Sequence, residues 1–245
     1  MPKTRITVAT VGHMPADFNR QKIKEWESSV FEIVDGIESY SLTCDSDGYG
    51  WEFTDKALEE VLPNKFNGEF LIAIVNVPIE FNWYSRRLSA NRVVFSFHEI
   101  KEILIFSNIP LENVIYRLLY AYTLLYKRSG NRIPETAEHT NFTHDETRGC
   151  LFDMNGIKTD VVYSCHNPII CSDCVERLRR EKVSDETIAQ CQNEIRRIRK
   201  AMFYQITDFI KKHPLWSLAI SGVTAIVLGA AGSVLGSYVF EATSK

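Results

Sequence analysis

The hydrophobic and polar positions of the chain follow two periods before residue 130. Period-two runs rich in β-branched residues predict strands, and a continuous apolar run at 70–79 predicts a strand that is buried on both faces. Apolar residues that recur every three or four positions predict helices. The predicted strands are 5–11, 37–44, 70–79 and 92–97, and the predicted helices are 17–34, 54–62 and 110–127. This order predicts an α/β domain with a mixed sheet and right-handed crossovers.

The helix at 110–127 is apolar nearly all round, which is typical of a helix buried in a core. The pattern changes after residue 180. Ser184 stands at the N-cap position of a further helix, and its apolar residues recur at alternating steps of three and four over 183–212, with an interruption at Gln205. They are Ile188, Cys191, Ile195, Ile198, Met202 and Phe209. Two interpretations stay open: a coiled-coil-like helical stalk, and an amphipathic helix that packs on its own domain.

Residues 214–240 include no charged side chain, and 27 such residues in a helix span about 40 Å, more than the hydrocarbon core of about 30 Å. Trp216 and Tyr238 stand near its two ends, where interfacial aromatic residues occur. We therefore predict a single transmembrane helix. The basic residues just before it predict that the large domain is cytoplasmic and that the helix is a C-terminal anchor. Only residues 241–245 would then cross to the other side of the membrane. The basic residues are Arg196, Arg197, Arg199, Lys200, Lys211 and Lys212.

Glycines repeat within the predicted membrane helix. Gly222, Gly229 and Gly236 recur every seven residues, and Gly232 forms a small-x-x-x-small pair with Gly236. Small residues on one face let membrane helices approach closely. The repeat predicts a homo-oligomer that assembles through this helix, with plain anchoring as the alternative.

The composition of the chain excludes few classes of protein. A chain of 245 residues with 45% hydrophobic and 24% charged residues is ordinary for one large or two small globular domains. A net charge of −3 gives no electrostatic footprint for nucleic acid. The start of the chain runs into a strand and has no pattern of a signal peptide. We predict three parts: an α/β domain over 1–180, a helical stalk over 183–212 and the membrane helix over 214–240.

Four of the six cysteines fall within 25 residues, and their spacing is typical of a metal site. Cys171 and Cys174 form a Cys-x-x-Cys pair, which can bind one metal from a tight turn. Cys150 is the predicted third ligand. The fourth ligand is predicted as Asp145, with His144, Cys165 and His166 as alternatives. Zinc accepts such a mixture in tetrahedral geometry, so we predict one structural zinc ion.

Around these residues the chain resembles metzincin peptidases of the archaemetzincin type. Their active-site helix carries H-E-x-x-H-x-x-G-x-x-H, and C-x4-C-x-M-x17-C-x-x-C follows directly. In this chain the segment from His144 to Phe152 corresponds to the H-C-x4-C-x-M part of that motif, with Asp145 in place of the first Cys and Phe152 in place of the Met. Eighteen residues then separate Phe152 from Cys171. The resemblance implies a metzincin-like fold in which His144 stands at the third catalytic-zinc position. It also implies a second, structural zinc held by Asp145, Cys150, Cys171 and Cys174.

The chain departs from that family at the catalytic helix. No H-E-x-x-H sequence occurs anywhere in it, and alignment of the helices puts Tyr120–Leu124 at that place. Ala121 cannot abstract a proton and Leu124 cannot bind metal. Glu138 and His139, near His144, are the remaining candidates for an unorthodox site. We therefore predict that the catalytic metal is lost and the structural metal is kept.

Three functional hypotheses follow. The first is a non-enzymatic membrane effector: a protein partner or activating ligand acts on the α/β domain, and assembly of the membrane helices perturbs the membrane. Bacterial anti-phage effectors that disrupt the inner membrane have an analogous organisation. The second is a tail-anchored zinc metallopeptidase with a non-standard site. The third is a membrane-tethered scaffold.

Overall fold

The structure is a computed structural model that describes residues 2–144, 147–153 and 157–243. It divides into two compact units, and the boundary lies between Arg199 and Lys200. The strands of the first unit are β1 Thr4–Val11, β2 Phe31–Tyr40, β3 Phe70–Val75, β4 Ser85–Arg87 and β5 Arg92–Ser96. Its helices are α1 Arg20–Lys24, α2 Asp55–Val61, α3 Ile100–Phe106, α4 Glu112–Arg128, α5 Val161–Ser164, α6 Ser172–Arg180 and α7 Asp185–Glu194. The second unit contains α8 Met202–Lys212 and α9 Pro214–Thr243.

The five strands form one sheet in the order β2-β1-β3-β5-β4. The first three pairings are parallel, and β4 pairs antiparallel with β5 at the edge. All six residues of β3 are buried, because helices or loops cover both faces of this central strand. The prediction of an α/β domain with a mixed sheet is confirmed.

Successive residues of the central strands point into two different cores. Ile72 and Ile74 lie in the larger core, where α4 packs, and Leu71 and Ala73 lie in the smaller core with Leu58 of α2. Helix α4 is buried from Glu112 to Tyr126, as its all-round apolar sequence predicts.

The predicted helix at 17–34 is wrong over most of its length. Asn19 caps α1 by accepting hydrogen bonds from the backbone N–H groups of residues 21 and 22, but the helix already ends at Lys24. Further along, Ser28 and Ser29 donate to the carboxylate of Glu194, and the Val30 carbonyl accepts from the Thr4 N–H (3.0 Å). These tertiary bonds hold the segment extended and lead it into β2, which therefore begins at Phe31 rather than at 37.

Helix α7 packs into the larger core of the first unit. Ile188, Cys191, Ile195 and Ile198 are all buried there. The helix gives way to a 3-10 turn over Ile195–Arg197, and the boundary between the units falls just beyond, inside the segment predicted as a stalk. Over this first half, the amphipathic interpretation describes the observed packing.

Helix α9 belongs to the second unit. Its stretch Pro214–Ser237 is long and apolar enough to cross a membrane by length and composition. Its large apolar side chains, such as Leu218, Ile226 and Leu235, are exposed.

Candidate metal centre

Short backbone bridges bring the metal-site segments together. His144 pairs with Asp153, and Cys150 pairs with Ile169. Gly149 has φ +87°, a left-handed conformation that suits glycine, and it turns the chain just before Cys150. A Cβ atom at Gly149 would lie 3.4 Å from the Tyr163 carbonyl oxygen, so the turn is also closely packed.

Helix α6 supplies the Cys-x-x-Cys pair. Cys171 is its N-cap residue and Cys174 lies in its first turn. The N-terminus of a helix favours negative charge, which suits thiolate ligands. Sequence spacing and local structure therefore agree on these two residues.

The ligand atoms of His144, Cys150, Cys171 and Cys174 all lie within 4.8 Å of one another. The Cys150 and Cys174 sulfurs are 3.9 Å apart, and His144 Nε2 is 3.7 Å from the Cys171 sulfur. Tetrahedral zinc with bonds of about 2.3 Å to sulfur and about 2.0 Å to nitrogen requires sulfur–sulfur and sulfur–nitrogen separations of about 3.8 and 3.5 Å. Three thiols and one imidazole at these distances fit zinc.

The electrostatics of the group favour a thiolate at Cys150, at the expense of Cys174, whose pKa is raised by the hydrogen bond between the two. The hydrogen bond that Cys150 shares with Cys174 lowers the pKa of Cys150 against the opposing effect of burial, and backbone bonds from residues 171 and 152 add to it. Zinc binds the deprotonated sulfur, so a thiol that loses its proton easily is a better ligand.

The other proposed fourth ligands lie elsewhere or cannot be placed. Asp145 lies outside the described residues. Cys165 is buried, its pKa is raised to about 12 by burial, and neither it nor His166 belongs to the group. The resemblance implied that His144 stands at a catalytic metal, but the structure places its ring among the three cysteines.

Sequence reasoning missed a buried carboxylate beside this group. Asp153 pairs with His144, and within the described part of the chain neither of its carboxylate oxygens has a hydrogen-bond partner. Burial raises the pKa of Asp153, against the effect of the Arg117 guanidinium and of His144. No periodicity or spacing could have identified this residue, because only the bridge to His144 brings it to the site.

The positions aligned with the missing catalytic motif have structural partners. The Tyr120 hydroxyl donates to Glu194 (2.7 Å) and accepts from Trp26 Nε1 (3.1 Å). The Tyr122 hydroxyl forms a hydrogen bond with Ser85 Oγ (2.8 Å). These tyrosines therefore connect α4 to neighbouring elements.

A cavity of about 480 Å³ lies beside Tyr122, and Arg87, Glu138 and His139 also line it. The two hydrogen bonds from Arg132 lower the pKa of Glu138 to about 2. A general base works best with a pKa near the working pH, so Glu138 is a poor candidate for that role.

The predicted interface glycines all lie on α9. Gly222, Gly229, Gly232 and Gly236 have no neighbouring atom within 4 Å of the position that a Cβ atom would take. A Cβ atom at any of them would therefore lie in open space within the described part of the chain.

Comparison with known proteins gives one structural likeness. No family model matches the chain, and no curated protein matches it by sequence. Its structure is similar to the crystal structure of archaemetzincin from Methanopyrus kandleri, with a TM-score of 0.42 and 15% identity, over 73% of this chain and 95% of that chain. A TM-score this low does not establish a common fold, and the metzincin-like fold stays a prediction.

Proposed function

We propose that this chain is a membrane-anchored effector whose zinc-stabilised, metzincin-like domain acts without catalysis. The observation that carries the proposal is the donor set of the candidate metal centre. Four protein ligands fill a tetrahedral zinc ion, whereas catalytic zinc keeps a position for water or substrate. A closed site of this kind stabilises a fold.

The second unit supports membrane anchoring. The stretch Pro214–Ser237 can cross a membrane, and Lys211 and Lys212 stand immediately before it. Basic residues beside a span favour the cytoplasmic side. We place the α/β domain in the cytoplasm on this ground.

Assembly through the glycines of α9 is the proposed effector step. A partner or ligand that binds the α/β domain would promote contact between membrane helices, and the assembled helices would perturb the membrane. The analogy with anti-phage membrane effectors concerns this organisation.

The test replaces glycine by leucine at residues 229 and 236 together. Leucine keeps the span apolar, and a Cβ atom at these positions has open space within the described residues, so insertion should persist while close helix approach is blocked. We expect the Gly229→Leu/Gly236→Leu variant to stay membrane-bound but to lose cross-linked oligomers and the depolarisation that a membrane-potential dye reports.

A matched control is Val227→Leu with Ala231→Leu. At 3.6 residues per turn these positions lie on the side of the helix away from Gly229 and Gly236. The control should behave like the unmodified chain. Full depolarising activity with leucine at both glycine positions would refute assembly through this face, and absence of depolarisation by the unmodified chain would leave the tethered-scaffold hypothesis.

The zinc metallopeptidase is the second candidate, and the cavity beside Tyr122 is the observation that favours it. Glu138→Gln distinguishes the two, because Glu138 is the carboxylate that lines this cavity. Metal-dependent hydrolysis that disappears in this variant, with zinc content and thermal stability unchanged, would favour the peptidase.

A further inference from the structure

Helix α8 carries a continuous apolar face without a partner in its own unit. The exposed fractions of its large apolar side chains range from 46% at Phe209 to 74% at Met202, and no residue of the helix is buried. The apolar face of α8 consists of Met202, Phe203, Ile206, Phe209 and Ile210. At 100° per residue these five residues fall within an arc of about 120°. The rest of the surface holds Tyr204, Gln205, Thr207, Asp208, Lys211 and Lys212.

This face is wider than a coiled-coil seam. The seam predicted from the sequence continues from Ile188, but its first four residues are buried in the core of the first unit. Only Met202 and Phe209 of the seam are left on α8, whereas the apolar face also includes the flanking residues Phe203 and Ile210. A strict seam is narrow, and an arc above about 100° is typical of a helix that lies on a broad apolar surface.

The position of α8 along the chain identifies that surface. His213 alone separates Lys212 from Pro214, where the stretch able to cross a membrane begins. One residue spans at most about 3.6 Å, so the end of α8 must lie where α9 enters the lipid. His213 has φ −133° and ψ 62°, which is not helical, so α8 and α9 do not form one continuous helix.

The polar side of α8 also suits a membrane surface. Lys200 forms an ion pair with Asp208 (2.7 Å), and the Thr207 hydroxyl donates to the Phe203 carbonyl (2.9 Å). Lys211 and Lys212, in the last turn, add positive charge next to the membrane entry, and anionic lipids attract such residues.

We propose that α8 lies in the membrane interface, with its apolar face in the boundary between headgroups and acyl chains and its polar side towards water. This inference rests on the proposed membrane anchoring by α9. It adds a second lipid contact, which would place the end of the α/β unit close to an anionic membrane surface.

The experiment measures lipid contact along the full chain. Single cysteines replace Ile206, at the centre of the apolar face, and Tyr204, on the opposite side of α8. The background carries Cys44→Ser and bound zinc, because the other native cysteines are buried or belong to the metal group. Each variant is labelled with a small fluorophore and reconstituted in vesicles of phosphatidylcholine and phosphatidylglycerol, with or without bromine on the acyl chains.

Interfacial helices bury their apolar face by about 5–10 Å, so we expect bromine to quench a label at 206 at least about twice as strongly as one at 204. Equal quenching at 206 and 204 would overturn the inference. Weak quenching at 206 together with cross-linking between two 206 positions would assign the apolar face to a second copy and overturn it as well.

A label in place of Ile226, within α9, separates this inference from the anchoring on which it rests. Strong quenching at 226 without a difference between 206 and 204 would refute only the interfacial helix. Absence of quenching at 226 would refute membrane insertion of α9, and with it both proposals.

Discussion

Glu194 connects two distant segments of the first unit to α7, and its replacement tests how the fold is held. Its carboxylate accepts hydrogen bonds from Ser28 Oγ (2.6 Å), the Ser29 N–H (2.8 Å), the Ser29 hydroxyl (2.5 Å) and the Tyr120 hydroxyl (2.7 Å). One side chain of α7 therefore connects the segment before β2 with the core helix α4. We expect Glu194→Gln to destabilise the unit, although the glutamine side chain has nearly the same shape as that of glutamate.

The magnitude follows from the bonds. A hydrogen bond to a charged group contributes about 1.5–3 kcal/mol and a neutral one about 0.5–1.5 kcal/mol. Each carboxylate oxygen accepts two of these bonds and glutamine keeps one acceptor oxygen, so the substitution weakens two bonds and loses up to two, with a net cost of about 2–4 kcal/mol. For a domain of this size that cost lowers the Tm by about 4–16 °C.

The pH dependence has a definite sign. Burial alone would raise the pKa of Glu194, but the bonds from Ser28, Ser29 and Tyr120 outweigh it, and the pKa is lowered. A lowered folded pKa gives stability that is fully present above the unfolded pKa of about 4.3 and is lost as the pH falls through the folded value. The stability difference between the unmodified chain and the Glu194→Gln variant should therefore be constant from about pH 5.5 to 8.

The assay is thermal unfolding of the zinc-loaded full chain in detergent, followed by near-ultraviolet circular dichroism. Tyr120→Phe and the double variant complete a cycle, in which directly bonded residues should show a coupling energy of about 0.5–3 kcal/mol. Glu186→Gln is the matched control, because Glu186 is exposed on the same helix and its carboxylate accepts a hydrogen bond from Gln190, one turn away. An unchanged Tm in Glu194→Gln, or a difference that grows with pH in this window, would refute the reasoning.

Two further predictions concern the metal. The unmodified chain should bind one zinc ion, and the Cys171→Ser/Cys174→Ser variant should lose both the zinc ion and the folded domain, because structural zinc contributes about 10–16 kcal/mol of folding free energy in isolated peptides. Metal analysis measures the zinc content and circular dichroism measures folding. Cys44→Ser is the control. Two zinc ions per chain would favour the peptidase, and zinc kept by the double variant would contradict the ligand assignment. Gly149→Ala should cost about 1–2 kcal/mol through its left-handed conformation and also weaken zinc binding, whereas Gly50→Ala, with φ +63° and open space, should cost stability alone. Equal zinc affinity of the two glycine variants in a competition titration would contradict a role for the Gly149 turn.

Elements with a self-contained pattern could be predicted from the sequence. Helix α4 and strand β3 bury almost every residue, and their apolar runs specify this without knowledge of the rest of the chain. The segment before β2 could not be predicted in the same way. Its apolar residues also fit helical spacing, and only Glu194, 166 residues further along from Ser28, decides between helix and extended chain.

The metal centre was predictable in part for a similar reason. The Cys-x-x-Cys pair is a local signal, because both ligands lie on the first turn of α6. The histidine is not local to them: its ring reaches Cys171 because a bridge to Asp153 holds its backbone. His144 and Asp145 are adjacent, and sequence spacing alone cannot say which of two neighbours faces a distant pair of cysteines.

The packing of α7 explains why the apolar periodicity after residue 183 serves two different surfaces. Ile188, Cys191, Ile195 and Ile198 are buried in the α/β core, and the Ile198 carbonyl accepts from the Asn167 N–H (2.7 Å), close to the cysteine pair. The first unit ends at Arg199, one residue beyond this contact. The apolar residues from Met202 to Ile210 belong to the second unit, and their side chains are exposed rather than buried in that core. One period in the sequence is therefore divided between a protein core and, by our proposal, a lipid surface, and the division falls where the chain needs to pass from water to membrane.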